Sequence, residues 1–472
     1  MKSQKFKILS LGCAGTLLLL AAGCSRSNYP LQLAVPGETL VESLPNHVEF
    51  KSVIKSASNQ VFPAVVYIKA IIPDLESGKN ASKQVGGSGV LISPEGEIIT
   101  NFHVVGKATN IRCLLNDGQA FEAEVVGSDQ TVDLALIKLK RPADNKAPLP
   151  YAEFSARKIQ TSDFVMAMGA PWGFNRSVSV GIISCPDRYV PESSEYTLWF
   201  QTDAAISPGN SGGPLVDING RIVGINTMGI GYMGSVGFTL PSPTIEKLLP
   251  RFREYGKANW AWFGIKLQPL IDFNLDIRFD YPSGVVVADI DAASPAETAG
   301  LEPKDLILAI NGQSITAKGA EDLPAINRML GLMEFNQPVT FKIQRNGKEM
   351  ELKITPTEKG KVEGDEFSCE RWNMTVKSIN RFQNPTLYFY QQKGVYVYGI
   401  SHPGNAGESG LAENDIIVSI GGVKIDSLKT LHSEYDKLVG DIAKSNRVMV
   451  TVMRNGNLKT LVLNFANDYN KE

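Results

Sequence analysis

The chain has 472 residues, which at about 150 residues per domain suggests about three domains. Its 47 Lys and Arg residues against 49 Asp and Glu residues leave a net charge of -2, without the excess of positive charge that nucleic-acid-binding domains normally carry. A hydrophobic share of 43% with 43 Gly and 26 Pro is typical of a turn-rich globular protein and excludes a disordered or fibrous chain. Nucleic acid is therefore not an expected partner.

The N-terminus is typical of an export signal, predicted over residues 1–23. Three lysines precede an apolar run at residues 8–22. A helix of that length rises only about 22 Å, which is less than the roughly 30 Å of a bilayer's hydrocarbon core. The run ends on Ala-Gly-Cys, which resembles the bacterial lipobox and implies cleavage before Cys24 and lipidation of that residue, hence membrane attachment on the exported side. An ordinary cleaved signal and an uncleaved anchor are the alternatives. Residues 24–53 lack an apolar period and contain several prolines, which predicts a tether.

Cysteine and histidine usage limits the covalent and metal chemistry of the mature chain. Without the signal and with Cys24 lipidated, three cysteines remain, Cys113, Cys185 and Cys369. An odd number cannot form a complete disulfide framework, so buried free thiols are predicted, with a single Cys113–Cys185 bridge as the alternative. The four histidines are scattered without ligand spacing, and neither a metal nor another cofactor is predicted.

Residues 54–253 are predicted to form an all-β domain. Short apolar runs alternate with turn residues, and helical periodicity is nearly absent. Asn219-Gly220 lies between two such runs and is a strong signal for a two-residue hairpin. A barrel or a sandwich fits this pattern.

A glycine-rich turn around Ser211 carries the first chemical signal. In Gly-Asn-Ser-Gly-Gly-Pro the glycines allow a tight turn, so that the hydroxyl can project while neighbouring amides point at one spot. No Lys follows and no helical pattern begins after it, which argues against a phosphate-binding loop. Serine needs a base and an orienting carboxylate, and His103 and Asp133 lie upstream in the chain order of the chymotrypsin arrangement.

Three segments resemble the HtrA/Deg family of trypsin-like serine proteases. They are Thr-Asn-Phe-His-Val-Val around His103, Asp-Leu-Ala-Leu-Ile-Lys-Leu from Asp133, and Thr-Asp-Ala-Ala-Ile-Ser-Pro-Gly-Asn-Ser-Gly-Gly-Pro around Ser211. The resemblance implies a double six-stranded β-barrel with Ser211 as the nucleophile, His103 as general base and then acid, and Asp133 as the carboxylate that orients the imidazole. It also implies an oxyanion hole formed by the backbone amides of Gly209 and Ser211.

The residues near Ser211 also suggest specificity and control. Ala205 lies six residues before it, beside Ile206, so the S1 pocket lacks the carboxylate that would select Lys or Arg, and small to medium aliphatic P1 residues are expected. Asn210 replaces the Asp of zymogen-derived enzymes, so control is expected from loops or ligands. In the family, loops around the cleft switch the oxyanion hole between ordered and disordered forms. The corresponding stretches are residues 71–84, 188–198 and 228–235, for which ordinary surface loops are a compatible interpretation.

The C-terminal half repeats one pattern at an offset of about 110 residues, as in Gly284-Val-Val-Val and Gly394-Val-Tyr-Val. Ser-Pro-Ala-Glu-Thr-Ala-Gly-Leu from Ser294, followed by Asp-Leu-Ile-Leu-Ala-Ile-Asn-Gly, resembles the PDZ domains that follow the protease in this family. The resemblance implies PDZ domains at residues 254–358 and 359–472, each a small β-barrel with helices. A PDZ domain binds an extended peptide as an added strand.

The predicted peptide-binding loop of the first PDZ domain consists of Trp262, Phe263, Gly264 and Ile265. We expect it to bind C-terminal peptides, with a spacer role as the alternative. The aligned stretch of the second domain, Trp-Asn-Met-Thr from Trp372, lacks glycine. For that domain, oligomer or partner contacts are as open as peptide binding.

Together these features predict a mainly β, multidomain, exported serine endopeptidase that hydrolyses misfolded or unfolded envelope proteins. A chaperone or adaptor that holds such clients with little proteolysis is the alternative. The family resemblance further suggests a homo-oligomer, a trimer or a multiple of one.

Overall fold

The computed structural model describes residues 49–145, 147–171, 176–191, 193–230, 236–274 and 282–469. The predicted signal peptide, the predicted lipidation site Cys24 and all but the end of the predicted tether lie outside these residues. The chain divides into the units Met1–Glu49 and Phe50–Glu472. Helix α1 (Phe50–Val61) opens the second unit, ahead of the domain boundary predicted at residue 54. Within the described ranges, no helix is both long and apolar enough to cross a bilayer.

Six antiparallel strands close the first barrel. They are β1 (Val65–Asp74), β2 (Ala81–Leu91), β3 (Glu97–Thr100), β4 (Asn110–Leu114), β5 (Ala120–Asp129) and β6 (Leu134–Leu139). Around the barrel the order is β1-β2-β3-β6-β5-β4, and the short helix α2 (Phe102–Val105) follows β3. In β5, Phe121 and Ala123 are buried while Glu122 and Glu124 are exposed, which is the two-residue period of a half-buried strand.

A second closed barrel follows. Its strands are β7 (Phe164–Gly169), β8 (Ser177–Arg188), β9 (Trp199–Thr202), β10 (Pro214–Asp217), β11 (Ile222–Ile230) and β12 (Val236–Pro241). The predicted hairpin joins β10 to β11, with Val216 opposite Ile222 and Gly220 at a left-handed φ of 69°. Helix α3 (Ser242–Tyr255) then packs back on the first barrel, where Phe252 is fully buried. Two six-stranded barrels, as predicted, therefore precede the repeated half.

The first repeated module contains one main sheet and short helices. Its elements are β13 (Ala261–Trp262), β14 (Ile265–Gln268), α4 (Ile271–Asn274), β15 (Val285–Ile290), α5 (Pro295–Thr298), β16 (Leu306–Ile310), β17 (Gln313–Ser314), α6 (Leu323–Gly331), β18 (Val339–Arg345), β19 (Lys348–Ile354) and β20 (Thr357–Glu358). The main sheet has the order β14-β15-β16-β18-β19, and β13 pairs separately with β20.

The second module repeats this plan with one additional edge strand. Its elements are β21 (Glu366–Cys369), β22 (Met374–Ser378), α7 (Pro385–Tyr390), β23 (Val395–Ile400), α8 (Asn405–Glu408), β24 (Ile416–Ile420), β25 (Val423–Lys424), α9 (Leu428–Gly440), β26 (Arg447–Arg454) and β27 (Asn457–Asn464). The order is β21-β22-β23-β24-β26-β27. Val285 lies opposite Ile307 in the first module and Val395 opposite Ile417 in the second, so the sequence repeat is a repeat of strand register.

Each module buries an aspartate that an arginine of its last hairpin neutralises. Arg345 Nη2 lies 2.6 Å from Asp305 Oδ2, and Arg454 Nε lies 2.6 Å from Asp415 Oδ1. The aspartate side chains are only 1% and 0% exposed, respectively. A charge removed from water in this way depends on its partner.

We expect Arg454→Met to lower the free energy of unfolding of the second module by about 3–5 kcal/mol, because it leaves the buried Asp415 carboxylate unpaired. Urea unfolding followed by tryptophan fluorescence measures the change. Arg447→Met, on the exposed start of the same strand, is the matched control and should change stability by less than about 0.5 kcal/mol. Equal effects of the two substitutions would contradict the role of the ion pair.

The three cysteines of the described residues are free thiols. Cys113 and Cys369 are buried, and Cys185 is half-buried. Burial raises the pKa of the Cys113 thiol to about 12, which keeps it protonated and unreactive at neutral pH. The prediction of free thiols is confirmed, and the alternative Cys113–Cys185 bridge is absent.

Candidate active site

The three predicted triad residues come from turns and a one-turn helix of the two barrels. His103 lies on α2, directly after β3, and Asp133 immediately precedes β6. Asp133 has a left-handed φ of 53°, a conformation that Asp tolerates better than most residues. Ser211 lies in the turn before β10. The first barrel thus supplies the histidine and the carboxylate, and the second supplies the serine.

Asp133 holds His103 through both carboxylate oxygens. Oδ2 lies 2.8 Å from the ring Nδ1, and Oδ1 accepts a 2.9 Å hydrogen bond from the backbone N–H of His103. A carboxylate only accepts hydrogen bonds, so Nδ1 carries a proton and Nε2 of the neutral ring remains an acceptor. This is the tautomer that a general base needs.

The Ser211 hydroxyl points to a neighbouring carbonyl. Its Oγ donates a 3.3 Å hydrogen bond to the carbonyl oxygen of Thr227, and the described residues contain no hydrogen bond between Ser211 Oγ and His103. The buried Asn101 joins these groups, since its Nδ2 donates to Thr227 Oγ1 at 3.1 Å and to the Asp133 carbonyl at 3.0 Å. The Ser211 hydroxyl must therefore rotate away from Thr227 if it is to contact His103.

The backbone before Ser211 leaves two amides available. In the described part of the chain, the N–H groups of Gly209 and Ser211 donate to no acceptor. Gly209 has a φ of 97°, and its carbonyl accepts a 2.6 Å hydrogen bond from Ser88 Oγ, which itself accepts from Ala170 N–H at 2.8 Å. Ser88 N–H also donates to the Ser211 carbonyl at 2.8 Å. Ser88 of β2 thus holds this turn at two points, the carbonyl of Gly209 and the carbonyl of Ser211.

Ile206 lies against a pair of opposed glycines next to this turn. Gly229 and Gly237 face each other across β11 and β12. A Cβ at Gly237 would lie 2.6 Å from Ile206 Cδ1, and a Cβ at Gly229 would lie 2.7 Å from the Ile206 carbonyl oxygen. Ala205 beside it is exposed. Because the two glycines have no side chains, Ile206 packs directly against this strand pair and adds an apolar side chain there.

Some of these residues were missed from the sequence. Ser88 lies in the run Gly-Gly-Ser-Gly of β2, and Asn101 lies two residues before His103 in a segment that was recognised. A lone serine among strand glycines was the available signal for Ser88. Nothing in the local sequence indicates that Thr227 contacts Ser211. Of the predicted control stretch 228–235, residues 231–235 lie outside the described residues.

The chain matches known families over most of its length. The trypsin-like peptidase domain family matches residues 87–225, and the PDZ domain family matches residues 261–355 and 375–464. A protein of Marinomonas sp. named as a DegP-like periplasmic serine endoprotease is 34% identical over 397 residues, which cover 80% of each chain. The chain belongs to this DegP-like family of serine endoproteases. A family protein of Chlamydia pneumoniae is 29% identical over 462 residues, covering 88% of this chain and 92% of that protein.

Solved structures agree with the family assignment. The HtrA-type protease AlgW with a tripeptide is 31% identical, with a TM-score of 0.57, over 65% of this chain and 97% of that one. A serine endoprotease from Yersinia pestis is 28% identical, with a TM-score of 0.50, over 67% of this chain and 99% of that one. The predicted mainly β fold, with a trypsin-like double barrel and two PDZ domains, is confirmed. The family relationship identifies a serine endopeptidase and does not favour the chaperone alternative.

The predicted loop of the first PDZ domain borders a cavity of about 590 Å³. All four residues, Trp262, Phe263, Gly264 and Ile265, line it, and α6 contributes Asn327, Leu330 and Gly331. In the described sheet, β14 pairs only with β15, so its other edge is available for an added strand. The second PDZ domain partly covers this groove, because the Arg381 guanidinium lies 4.9 Å from the Trp262 ring centre.

Tyr196, in the predicted control loop 188–198, packs on the first PDZ domain. The Tyr196 carbonyl accepts a 2.8 Å hydrogen bond from Arg328 Nη1, and Lys359 Nζ donates to the Tyr196 hydroxyl at 2.8 Å. Burial raises the pKa of Tyr196, so its hydroxyl stays protonated. The loop thereby connects the protease domain to the groove of the first PDZ domain.

The stretch 71–84 is largely strand. The β1–β2 pairing extends outward to Asp74 opposite Ala81. The tip of this hairpin contacts the second PDZ domain, where the Tyr398 hydroxyl donates to Glu76 Oε1 at 2.8 Å. Tertiary contact converts a sequence expected to form a loop into an extended hairpin.

Proposed function

We propose that this endoprotease hydrolyses peptide bonds of unfolded or misfolded envelope proteins through Ser211, His103 and Asp133. The observation that carries the proposal is that Asp133 binds His103 through both carboxylate oxygens, while the amides of Gly209 and of Ser211 itself donate to no acceptor in the described residues. The apolar Ile206 side chain against Gly229 and Gly237 suits the exposed apolar side chains of unfolded clients. No group of three or more His, Cys, Asp or Glu side chains in the described residues could hold a metal ion.

In the proposed reaction, Ser211 Oγ turns from the Thr227 carbonyl to His103 Nε2. Oγ attacks the scissile carbonyl carbon while Nε2 takes its proton, and Asp133 stabilises the resulting imidazolium. The amides of Gly209 and Ser211 hold the oxyanion; removal of one such donor typically costs about 10²–10³ in rate. Nε2 then protonates the leaving amine, and a water molecule, deprotonated by His103, hydrolyses the acyl-enzyme.

Casein digestion tests this function against the holding role. We expect wild type to digest casein and Ser211→Ala to lose that activity, because alanine removes the attacking oxygen. Light scattering by an aggregating client measures holding in both proteins. Equal digestion by the two would refute the triad assignment. Absence of digestion by both, with aggregation suppressed, would favour the chaperone function.

We expect cleavage mainly after Val, Ala, Ile or Leu, because Ile206 makes the proposed S1 surface apolar. Mass spectrometry of casein fragments measures the distribution. Ile206→Ala should deepen the pocket and raise the relative rate after Leu or Phe over Ala by roughly tenfold. Ala205→Gly, at the exposed neighbouring position, is the matched control. Cuts mainly after Lys or Arg, or an unchanged distribution in Ile206→Ala, would contradict the assignment.

We also propose that the first PDZ groove binds C-terminal peptides through Trp262, Phe263, Gly264 and Ile265. Its β14 edge, which is unpaired in the described sheet, supports this, as do the peptides in the related AlgW structures.

The names of the relatives support a periplasmic location. Lipid attachment at Cys24 and assembly as a trimer or a multiple of one complete the proposal. Mass spectrometry of the mature N-terminus and light scattering of the purified protein test these two points.

A further inference from the structure

The loop before β14 and the loop before β22 occupy equivalent places in the two PDZ domains. The structure matches Gly264 with Asn373, one residue earlier than the match by sequence repeat. Asp291 N–H donates to the Gly264 carbonyl at 2.8 Å, and Ser401 N–H donates to the Asn373 carbonyl at 3.0 Å. Gly264 and Asn373 share a left-handed conformation, with φ of 75° and 55°. Asn tolerates this conformation. Asn373 therefore takes the place of Gly264, and the lack of glycine does not keep this loop from the same left-handed turn.

The two PDZ domains differ at the outer edge of the equivalent strand. This edge of β14 is unpaired in the described sheet, whereas the same edge of β22 pairs with β21. The pairing is antiparallel, with Cys369 opposite Met374 and Glu366 opposite Lys377. The C-terminal end of β21 thus lies next to the loop. A peptide that bound as an added strand at this edge would run in the same direction and would also end next to the loop.

Strand β21 also contacts the helix that forms the other wall of this groove. The Phe367 ring centre lies 4.1 Å from that of His432 and 5.6 Å from that of Tyr435, and both of these residues belong to α9. Two residues later, Cys369 is completely buried in the same core. An aromatic side chain and a small apolar one therefore fill the space between β22 and α9.

We propose that residues 366–369 are an internal ligand of the second PDZ domain, which keeps its peptide groove closed to other chains. The pattern of this segment defines the competitor that the groove would accept, an extended peptide with an aromatic residue two positions before a small apolar one. The proposal rests on the proposed PDZ-type peptide binding and does not depend on the protease reaction.

The internal ligand is also attached to the protease domain. Glu366 Oε1 lies 2.7 Å from the fully buried Lys377 Nζ and 3.3 Å from Lys107 Nζ. Lys107 in turn lies 2.7 Å from Glu363 Oε2, and Gln130 Nε2 donates to Glu363 Oε1 at 2.8 Å. Lys107 and Gln130 belong to the segments that carry His103 and Asp133. A competing peptide must therefore release these contacts before it can enter the groove.

Hydrogen exchange of the full chain, made inactive by Ser211→Ala, tests the proposal. The probe is a synthetic peptide that copies residues 364–369 with alanine in place of the cysteine. In the Ser211→Ala parent, which retains Phe367, we expect the probe to leave hydrogen exchange at β22 and α9 unchanged. In the variant that also carries Phe367→Ala, exchange at β22 should become roughly tenfold faster and should slow again when the probe is added. Phe389→Ala, which removes an aromatic side chain that is 84% exposed, is the matched control and should behave like the parent.

Equal protection of α9 by the probe in the parent and in Phe367→Ala would overturn the proposal, as would unchanged exchange at β22 in Phe367→Ala. If Phe367→Ala also loses protection from hydrogen exchange at β26, the domain has unfolded. The proposal is then tested with Lys107→Ala instead. That substitution lies outside the PDZ fold and should speed exchange at β21 about threefold. No change at β21 in Lys107→Ala would then overturn the proposal. Binding to the first PDZ domain is read separately at β14, so its failure is distinguishable.

Discussion

His103→Ala is expected to cleave casein about 10⁶-fold more slowly than wild type, and its combination with Ser211→Ala no more slowly than either single variant. The reason is that the two groups act as one unit: Ser211 Oγ is a poor nucleophile until Nε2 takes its proton, and Nε2 has no role without the hydroxyl. The oxyanion donors are backbone amides and remain in all three variants. A residual rate of about 10³–10⁴ over the uncatalysed reaction should therefore persist.

A fluorogenic casein assay with long incubations measures these rates. His402→Ala is the matched control, because this histidine is exposed on the second PDZ domain and away from the cleft. It should cleave casein within twofold or so of wild type, as expected for a surface substitution. A double variant that is much slower than both single variants would mean that His103 and Ser211 contribute independently, which the proposed mechanism forbids.

Asp133→Asn is expected to lower casein cleavage by about 10⁴-fold while the domain stays folded. Asn can direct its amide N–H₂ at His103 Nδ1, which would favour the tautomer with the proton on Nε2. That ring nitrogen could then no longer accept the serine proton. Asparagine also supplies only one oxygen, whereas Asp133 uses both, on the ring and on the backbone N–H of His103.

The same assay, with thermal unfolding as a check on folding, measures the effect of Asp133→Asn. Asp144→Asn, at an exposed position in the connection between β6 and β7, is the matched control and should leave the rate within twofold or so. A loss of less than tenfold in a folded Asp133→Asn protein would show that His103 is held in the productive tautomer by another group.

Local sequence was enough for features whose residues are close along the chain or repeated in it. The glycines around Ser211, the hairpin at Asn219-Gly220 and the register repeated between the two PDZ domains all follow from short-range backbone preferences and side-chain periods. The order of His103, Asp133 and Ser211, together with the surrounding motifs, identified the family. These segments carry their own conformational information.

The details of the site depended on residues that are distant in sequence. Ser88 reaches the Gly209 carbonyl because barrel closure brings β2 beside the second barrel. The hydroxyl of Ser211 donates to the carbonyl of Thr227, which lies on β11. Such contacts follow from how two closed sheets meet, which no local pattern encodes.

The sequence by itself therefore determined the family, the order of the domains and the class of reaction, since short motifs and local periodicity carry this information. The tertiary structure alone decided that Asn373 replaces Gly264 in the second loop and that β21 lies on the edge of β22. The physical reason is that an unpaired strand edge accepts any backbone that can reach it, and only the folded chain determines which segment does.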